Sequence, residues 1–160
     1  MNEIAIFYRY IASSLDRMAA IVAELDEAEL SWRPSADGAN SIRVLAVHTY
    51  GNAEENLLGL LGGENVRRDR DAEFLAAAGD GPELEQHWRS LRSRIEPALD
   101  GLDAEALDRL YIHPRRGAVS GREVLLVVAR HAAEHLGQAE LTRDLLLRAQ
   151  SSGIVAPAST

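Results

Sequence analysis

Apolar residues recur at spacings of three and four in four stretches of the chain, and clusters of turn residues separate the stretches. The first runs from about Glu3 to Leu25, where Phe7, Ile11, Ser14, Met18, Ile21 and Leu25 trace a single helical seam. The segment "SWRPSADGAN" then breaks the periodicity, and its Pro, Gly and Asn mark a loop. A second helix starts near Asn40 or Ser41, either of which can cap it, and "GG" at 62–63 ends it. Along one side it carries Ile42, Leu45, His48, Asn52, Glu55 and Gly59. A third begins near Pro82, with a stripe of Leu84, Trp88, Leu91, Ile95 and Ala98, and Pro97 is placed to end or bend it. The fourth has the best-signed start: Ser120 and Glu123 form the two ends of a capping box, opening a helix to about Ala149. Val124, Val127, Val128, His131, His135, Gln138, Thr142 and Leu145 lie on or near one of its faces.

No segment shows sustained strand alternation. "VLLVVA" at 124–129 is apolar enough for a strand, but its cap and helical continuation assign it to the fourth helix. The stretch from Gly101 to Gly117 reads as a long connection with a short helix at Ala104–Leu110. Four amphipathic helices must cover their apolar stripes against one another, so the pattern predicts an all-α four-helix bundle. One domain over residues 1–150 accounts for the chain, with 151–160 as a flexible tail.

Composition narrows the chemistry. At this length a chain buries roughly 68–70% of its extended surface and needs no disulfide or structural metal to fold. The sequence contains no cysteine, which excludes thiol nucleophiles and cysteine zinc sites, so any metal must be held by His, Asp or Glu. A net charge of −8 opposes binding to a phosphate backbone. The two basic clusters, "RRDR" at 67–70 and "HPRR" at 113–116, read as surface loops. The N-terminus is too polar for a signal peptide and no apolar run reaches membrane-spanning length, so a cytoplasmic location is expected.

Histidine is where the chemistry concentrates. His131 and His135 in "RHAAEHLGQAE" are four apart, and that spacing places two imidazoles on one helix face, roughly 6 Å apart along the axis. His48 lies on the core-facing side of the second helix. A ferritin-like pair of Glu-x-x-His motifs is absent, as is the zinc-protease motif, which needs Glu directly after the first His. What remains is a candidate site of three imidazoles from two helices, with a coordination position open to water, suited to Zn²⁺, Ni²⁺ or Fe²⁺. His87 and His113 are assigned surface or packing roles.

The ordered set "LSWRPSADGANSIRVLAVHTYGNAEENL", "VRRDRDAEF" and "RHAAEHLGQAELTRDLL" resembles the DinB/YfiT-like superfamily over about residues 1–150. That resemblance implies a four-helix bundle in which His48, His131 and His135 bind a divalent metal, often nickel or zinc. It implies that Trp32 and Pro34 anchor the first loop, with Trp32 filling core volume, and that Gly137 permits close helix approach. The charged run Arg68, Asp69, Arg70 and Asp71 is expected to serve as a salt-bridged structural motif. Gln138 either faces the site or bonds between helices, with the second role favoured. Asn52 is a candidate contact beside His48, Glu55 is more simply solvated helix surface than a base, and Tyr8, Tyr10 and Tyr50 are possible hydroxyl donors.

By the same resemblance the activity expected is metal-dependent thiol transfer or isomerisation of a small electrophile. A low-molecular-weight thiol would act as cosubstrate, since the chain has no cysteine of its own. Metal-assisted hydrolysis is the competing chemistry. A non-catalytic, stress-related binding or structural role is the alternative outside enzymology. The expected partners are a small-molecule substrate and a second copy in a homodimer, with no nucleic acid and no membrane.

Overall fold

The computed structural model describes residues 3–75 and 80–154. Its main elements are four long helices: α1 (Glu3–Ala23), α3 (Ile42–Ala53), α5 (Gly81–Asp100) and α6 (Gly121–Ser151). Two short helices join them, α2 (Glu27–Ser31) and α4 (Arg70–Phe74). α1 packs against both α5 and α6, while α3 packs on α6 and α4, so the expected all-α bundle is observed.

The caps explain where the helices begin. Ser41, not Asn40, starts α3, its hydroxyl accepting from the Val44 N–H at 3.3 Å. Asp80 caps α5 reciprocally with Glu83, so that Gly81 and Pro82 occupy the first turn. Ser120 and Glu123 close the predicted capping box of α6, which ends at Ser151. Residues 155–160 of the expected tail lie outside the described residues.

The buried faces follow the predicted stripes with local shifts. On α1, Ile11, Met18 and Ile21 are buried as expected, and Leu15 and Val22 join them where Ser14 and Leu25 were expected. Leu84, Trp88, Leu91 and Ile95 of α5 are buried. The stripe then closes on Leu99, because Pro97 stands in the last turn without ending the helix. Trp88 also ties the layers together, donating from its indole to Asp16 on α1 at 2.8 Å.

Four expectations need correction. The second helix does not remain α-helical: beyond Ala53 it widens into a π segment, Glu54–Leu61, before Gly62 and Gly63 end it. The 101–117 connection holds only a 3₁₀ turn at Ala104–Leu107, followed by a hairpin of β1 (Leu110–His113) and β2 (Gly117–Ser120), with Tyr111 opposite Val119. Its alternation is real, since Leu110 and Ile112 face out while Tyr111 and His113 face in, but four residues are too few to register as a period. Finally, Trp32 is half-buried at the edge of the loop rather than in the core, and a side chain at Gly137 would meet nothing within 4 Å, so no helix approaches there.

Candidate metal centre

The α3–α6 contact brings the three predicted histidines together. His48 is buried, His131 and His135 are half-buried, and their ligand atoms all lie within 4.8 Å of one another. The ring centroids of His48 stand 4.9 Å from His131 and 5.1 Å from His135, and those of the α6 pair are 4.3 Å apart. The Nε2 atoms of His48 and His131 meet at 3.0 Å. No fourth His, Asp or Glu joins the cluster among the described residues.

What surrounds the rings decides which nitrogen each presents. His48 Nδ1 lies 2.9 Å from Glu73 Oε2. A carboxylate only accepts, so Nδ1 carries the proton and Nε2 offers its lone pair inward. His135 is held in the same sense: its Nδ1 donates to Gln138 Oε1 at 2.8 Å, leaving Nε2 for the cluster. Gln138 thus serves the site rather than a bond between helices. His131 Nδ1 is buried and finds no partner. Burial, followed by repulsion from His135 and His48, pushes the His131 pKa down to about 3, and burial lowers that of His135 as well. His131 and His135 are therefore uncharged near neutrality, and with His48 they bring three imidazole nitrogens to one point; such a donor set fits a late first-row divalent ion.

Behind His48 stands an ionic network. Arg68 grips Glu73 through two parallel hydrogen bonds, Nε to Oε1 at 2.6 Å and Nη2 to Oε2 at 2.7 Å. It also donates to the His48 backbone carbonyl at 3.1 Å and to Glu55 Oε2 at 3.1 Å. Arg115, from the hairpin turn, closes on the other side of Glu55 with a bond from Nη1 at 3.0 Å and a second from Nη2. Burial alone would raise the Glu73 pKa, but the hydrogen bonds from His48 and Arg68 outweigh it and hold the carboxyl below its usual range. The same balance, with Arg115 and Arg68 as partners, lowers Glu55. Glu55 is therefore part of this network, with only 12% of its side chain exposed, and is not solvated helix surface.

Gly51 makes the docking possible. A Cβ there would sit 2.2 Å from Glu73 Oε1 and 3.3 Å from Arg68 Nε. On the same short helix, Phe74 lies against the His48 ring at 4.7 Å, with Arg70 stacked over Phe74 at 5.0 Å. Asp69 caps α4 by accepting from the Ala72 N–H at 3.0 Å. The charged run at 68–71 is structural, as expected, and its main task is to deliver Glu73 to His48.

The geometry leaves other candidates elsewhere. Tyr8 donates to Glu96 on α5, Tyr10 is exposed, and Tyr50 is fully buried and stacked on Trp88 at 5.9 Å. His87 tilts against Tyr50, and His113 is buried beneath the hairpin, so both stay outside the cluster. Asn52 is buried one turn from His48, with its carbonyl receiving Asn56 Nδ2 at 2.8 Å and its own Oδ1 unpartnered. Glu73 was missed because it lies 25 residues from His48 in sequence. The available signal was Gly51, an unfavourable residue inside a helix and three positions from a histidine.

With this geometry in place, comparison with known proteins is informative. The family profile of the DinB superfamily matches residues 10–139. The chain belongs to the DinB superfamily. Solved structures agree on the fold. A conserved protein from Enterococcus faecalis is 17% identical, with 92% of this chain and 99% of that one covered and a TM-score of 0.73. A DinB-like protein from Bacillus cereus is 17% identical, with 98% and 95% covered and a TM-score of 0.66. A DinB-like protein from Bacillus subtilis is 18% identical, with 99% and 96% covered and a TM-score of 0.50. A search of curated proteins finds no match. For this DinB-superfamily chain the site must therefore be read from its own residues.

Proposed function

We propose that this DinB-superfamily protein is a divalent-metal-dependent enzyme in which His48, His131 and His135 hold zinc, nickel or iron(II). A low-molecular-weight thiol is its cosubstrate. One observation carries the reading: three imidazoles converge within 4.8 Å, and the described residues supply no fourth ligand, so a coordination position is left for a small molecule. A divalent ion in such a site lowers the pKa of a coordinated thiol or water and polarises a carbonyl.

The chain's own residues prepare that position. Glu73 and Gln138 orient His48 and His135 through their Nδ1 protons, and burial keeps His131 unprotonated at neutral pH. The sulfur must come from outside, since the chain contains no cysteine. In thiol transfer a C–S bond forms on a small electrophile, a leaving group departs with its electron pair, and the thiol proton passes to solvent. Isomerisation follows when the thiol adds and is later expelled from the same carbon. The same open position admits water, which makes hydrolysis the competing chemistry. A sealed structural metal is disfavoured because His131 and His135 are only half-buried.

We place the protein in the cytoplasm as a homodimer, with no nucleic-acid partner. No described helix is long and apolar enough to cross a membrane. Leu141 and Leu145 of α6, one turn apart on the same face, are 60% and 42% exposed, which supports self-association, and the net charge of −8 opposes a polyanion. The activity is tested with metal-loaded, tag-free protein, a panel of small thiols with aryl halide and epoxide acceptors, and a parallel panel of esters. Thiol-dependent product that disappears in His48→Ala is expected. Ester cleavage without thiol would transfer the assignment to hydrolysis, and no turnover of either panel by metal-loaded protein would favour the stress-related binding role.

A further inference from the structure

A cleft of about 270 Å³ lies beneath the hairpin, lined by Asn56 of the π segment, His113 and Arg116 of the hairpin, and an apolar wall that includes Val119, Val124 and Val127. Its volume is just below the roughly 300–1,000 Å³ usual for drug-sized ligands, which suits a smaller molecule. Val127 precedes His131 by one turn of α6, so the cleft opens about 6 Å along the helix from that imidazole.

Three polar groups in this cleft lack protein partners. His113 is only 4% exposed, and its Nδ1 accepts from the Arg115 N–H at 3.0 Å. Its Nε2 must therefore carry the proton, and that donor has no acceptor among the described residues. Asn56 is 2% exposed, and its amide nitrogen is committed to the Asn52 carbonyl, which leaves Oδ1 as an unused acceptor. Arg116 forms no ion pair among the described residues, because Glu55 is taken by Arg115 and Arg68.

We propose that this cleft binds the carboxylate of a small apolar acid. Arg116 and His113 Nε2–H donate to its oxygens, and the valine wall covers its carbon skeleton. Asn56 Oδ1 is left for a hydroxyl or N–H of the same molecule. A phosphate dianion fits less well: Glu123 stands at the rim with its own carboxylate committed to Ser120, and the wall is apolar.

The test uses the full-length, metal-free protein and titrates 4-methylpentanoate and 3-phenylpropanoate against their primary amides by calorimetry and ligand-observed NMR. Both acids should bind at least tenfold more tightly than their amides. Arg116→Gln, at an exposed and unpaired position, should keep the wild-type circular dichroism and weaken binding roughly ten- to a hundredfold. Val127→Phe should weaken it by narrowing the cleft. A His48→Ala, His131→Ala, His135→Ala variant should bind within threefold of wild type, which separates this proposal from the fate of the metal site. Absence of acid binding, equal binding of acid and amide, or wild-type affinity in Arg116→Gln would overturn the proposal.

Discussion

Replacing Arg68 with Met tests whether the network behind His48 is a stability element as well as a positioning device. The guanidinium is 4% exposed and lies between Glu73, at 9%, and Glu55, at 12%. Met matches its length but leaves Glu73 without its arginine and Glu55 with Arg115 alone, in a poorly hydrated place. Breaking a buried pair from one side costs about 3–5 kcal/mol, well above the roughly 0–1 kcal/mol of a surface ion pair. For a chain of this size each kcal/mol shifts the melting temperature by about 2–4 °C, so the expected loss is roughly 6–20 °C. With a urea m-value of about 2 kcal/mol/M, the midpoint should fall by about 1.5–2.5 M. The assay is urea and thermal unfolding by circular dichroism in the presence of a chelator, so that loss of metal does not contribute. The triple change Arg68→Met, Glu55→Gln, Glu73→Gln removes the stranded charges and should recover at least half of the loss. Arg68→Lys, which keeps the charge but not the fork, should fall between. A loss below about 1 kcal/mol, or a triple variant no more stable than Arg68→Met, would refute the reasoning.

Further predictions follow from the same geometry. Glu73→Gln removes the carboxylate that fixes the His48 tautomer and should lower metal affinity about 10–100-fold in chelator competition; a change below twofold would contradict the positioning role. Gly51→Ala gains about 1 kcal/mol of helix propensity, yet its Cβ would stand 2.2 Å from Glu73 Oε1, so we expect net destabilisation with metal affinity falling alongside. A more stable Gly51→Ala protein with unchanged metal affinity would show that Glu73 does not need the contact. The metal-free protein should also lose stability on acidification. The unfolded chain takes up a proton at His131 near pH 6.5 while the folded chain keeps it neutral down to about 3, so folding weakens by about 1.4 kcal/mol per pH unit below 6.5. His135 shifts in the same direction, and the lowered carboxyls of Glu73 and Glu55 add their share as the pH falls below their ordinary range. Unfolding curves that superimpose between pH 6.5 and 5 would contradict the burial of these imidazoles.

The parts of this fold legible in the sequence are those set by local rules. Ser120 and Glu123 announce α6 because a capping box needs only residues three apart, and the α5 stripe is readable because its period repeats over several turns. The metal candidates were legible for a similar reason, since His131 and His135 share a face by spacing alone, and His48 lies on the core-facing side of its own helix, with the family resemblance adding weight to all three. What stayed hidden depends on tertiary contact. Glu73 reaches His48 across a loop and a short helix, and nothing in its own segment distinguishes it from its acidic neighbours. The π segment is invisible to a pattern built on 3.6 residues per turn. Arg115 and Arg116 both read as surface loop; the hairpin sends Arg115 to Glu55 and leaves Arg116 at the cleft, a division of labour that adjacent residues of one type cannot reveal.

The central claim is that His48, His131 and His135 hold a divalent ion, and metal content is its most direct test. Tag-free protein never exposed to a nickel column should be analysed by plasma mass spectrometry beside the His48→Ala, His131→Ala, His135→Ala variant. The account predicts close to one equivalent of zinc, nickel or iron in the wild type and its loss in the variant. A wild-type protein that carries no metal, and takes up none when Zn²⁺ or Ni²⁺ is offered, would contradict it.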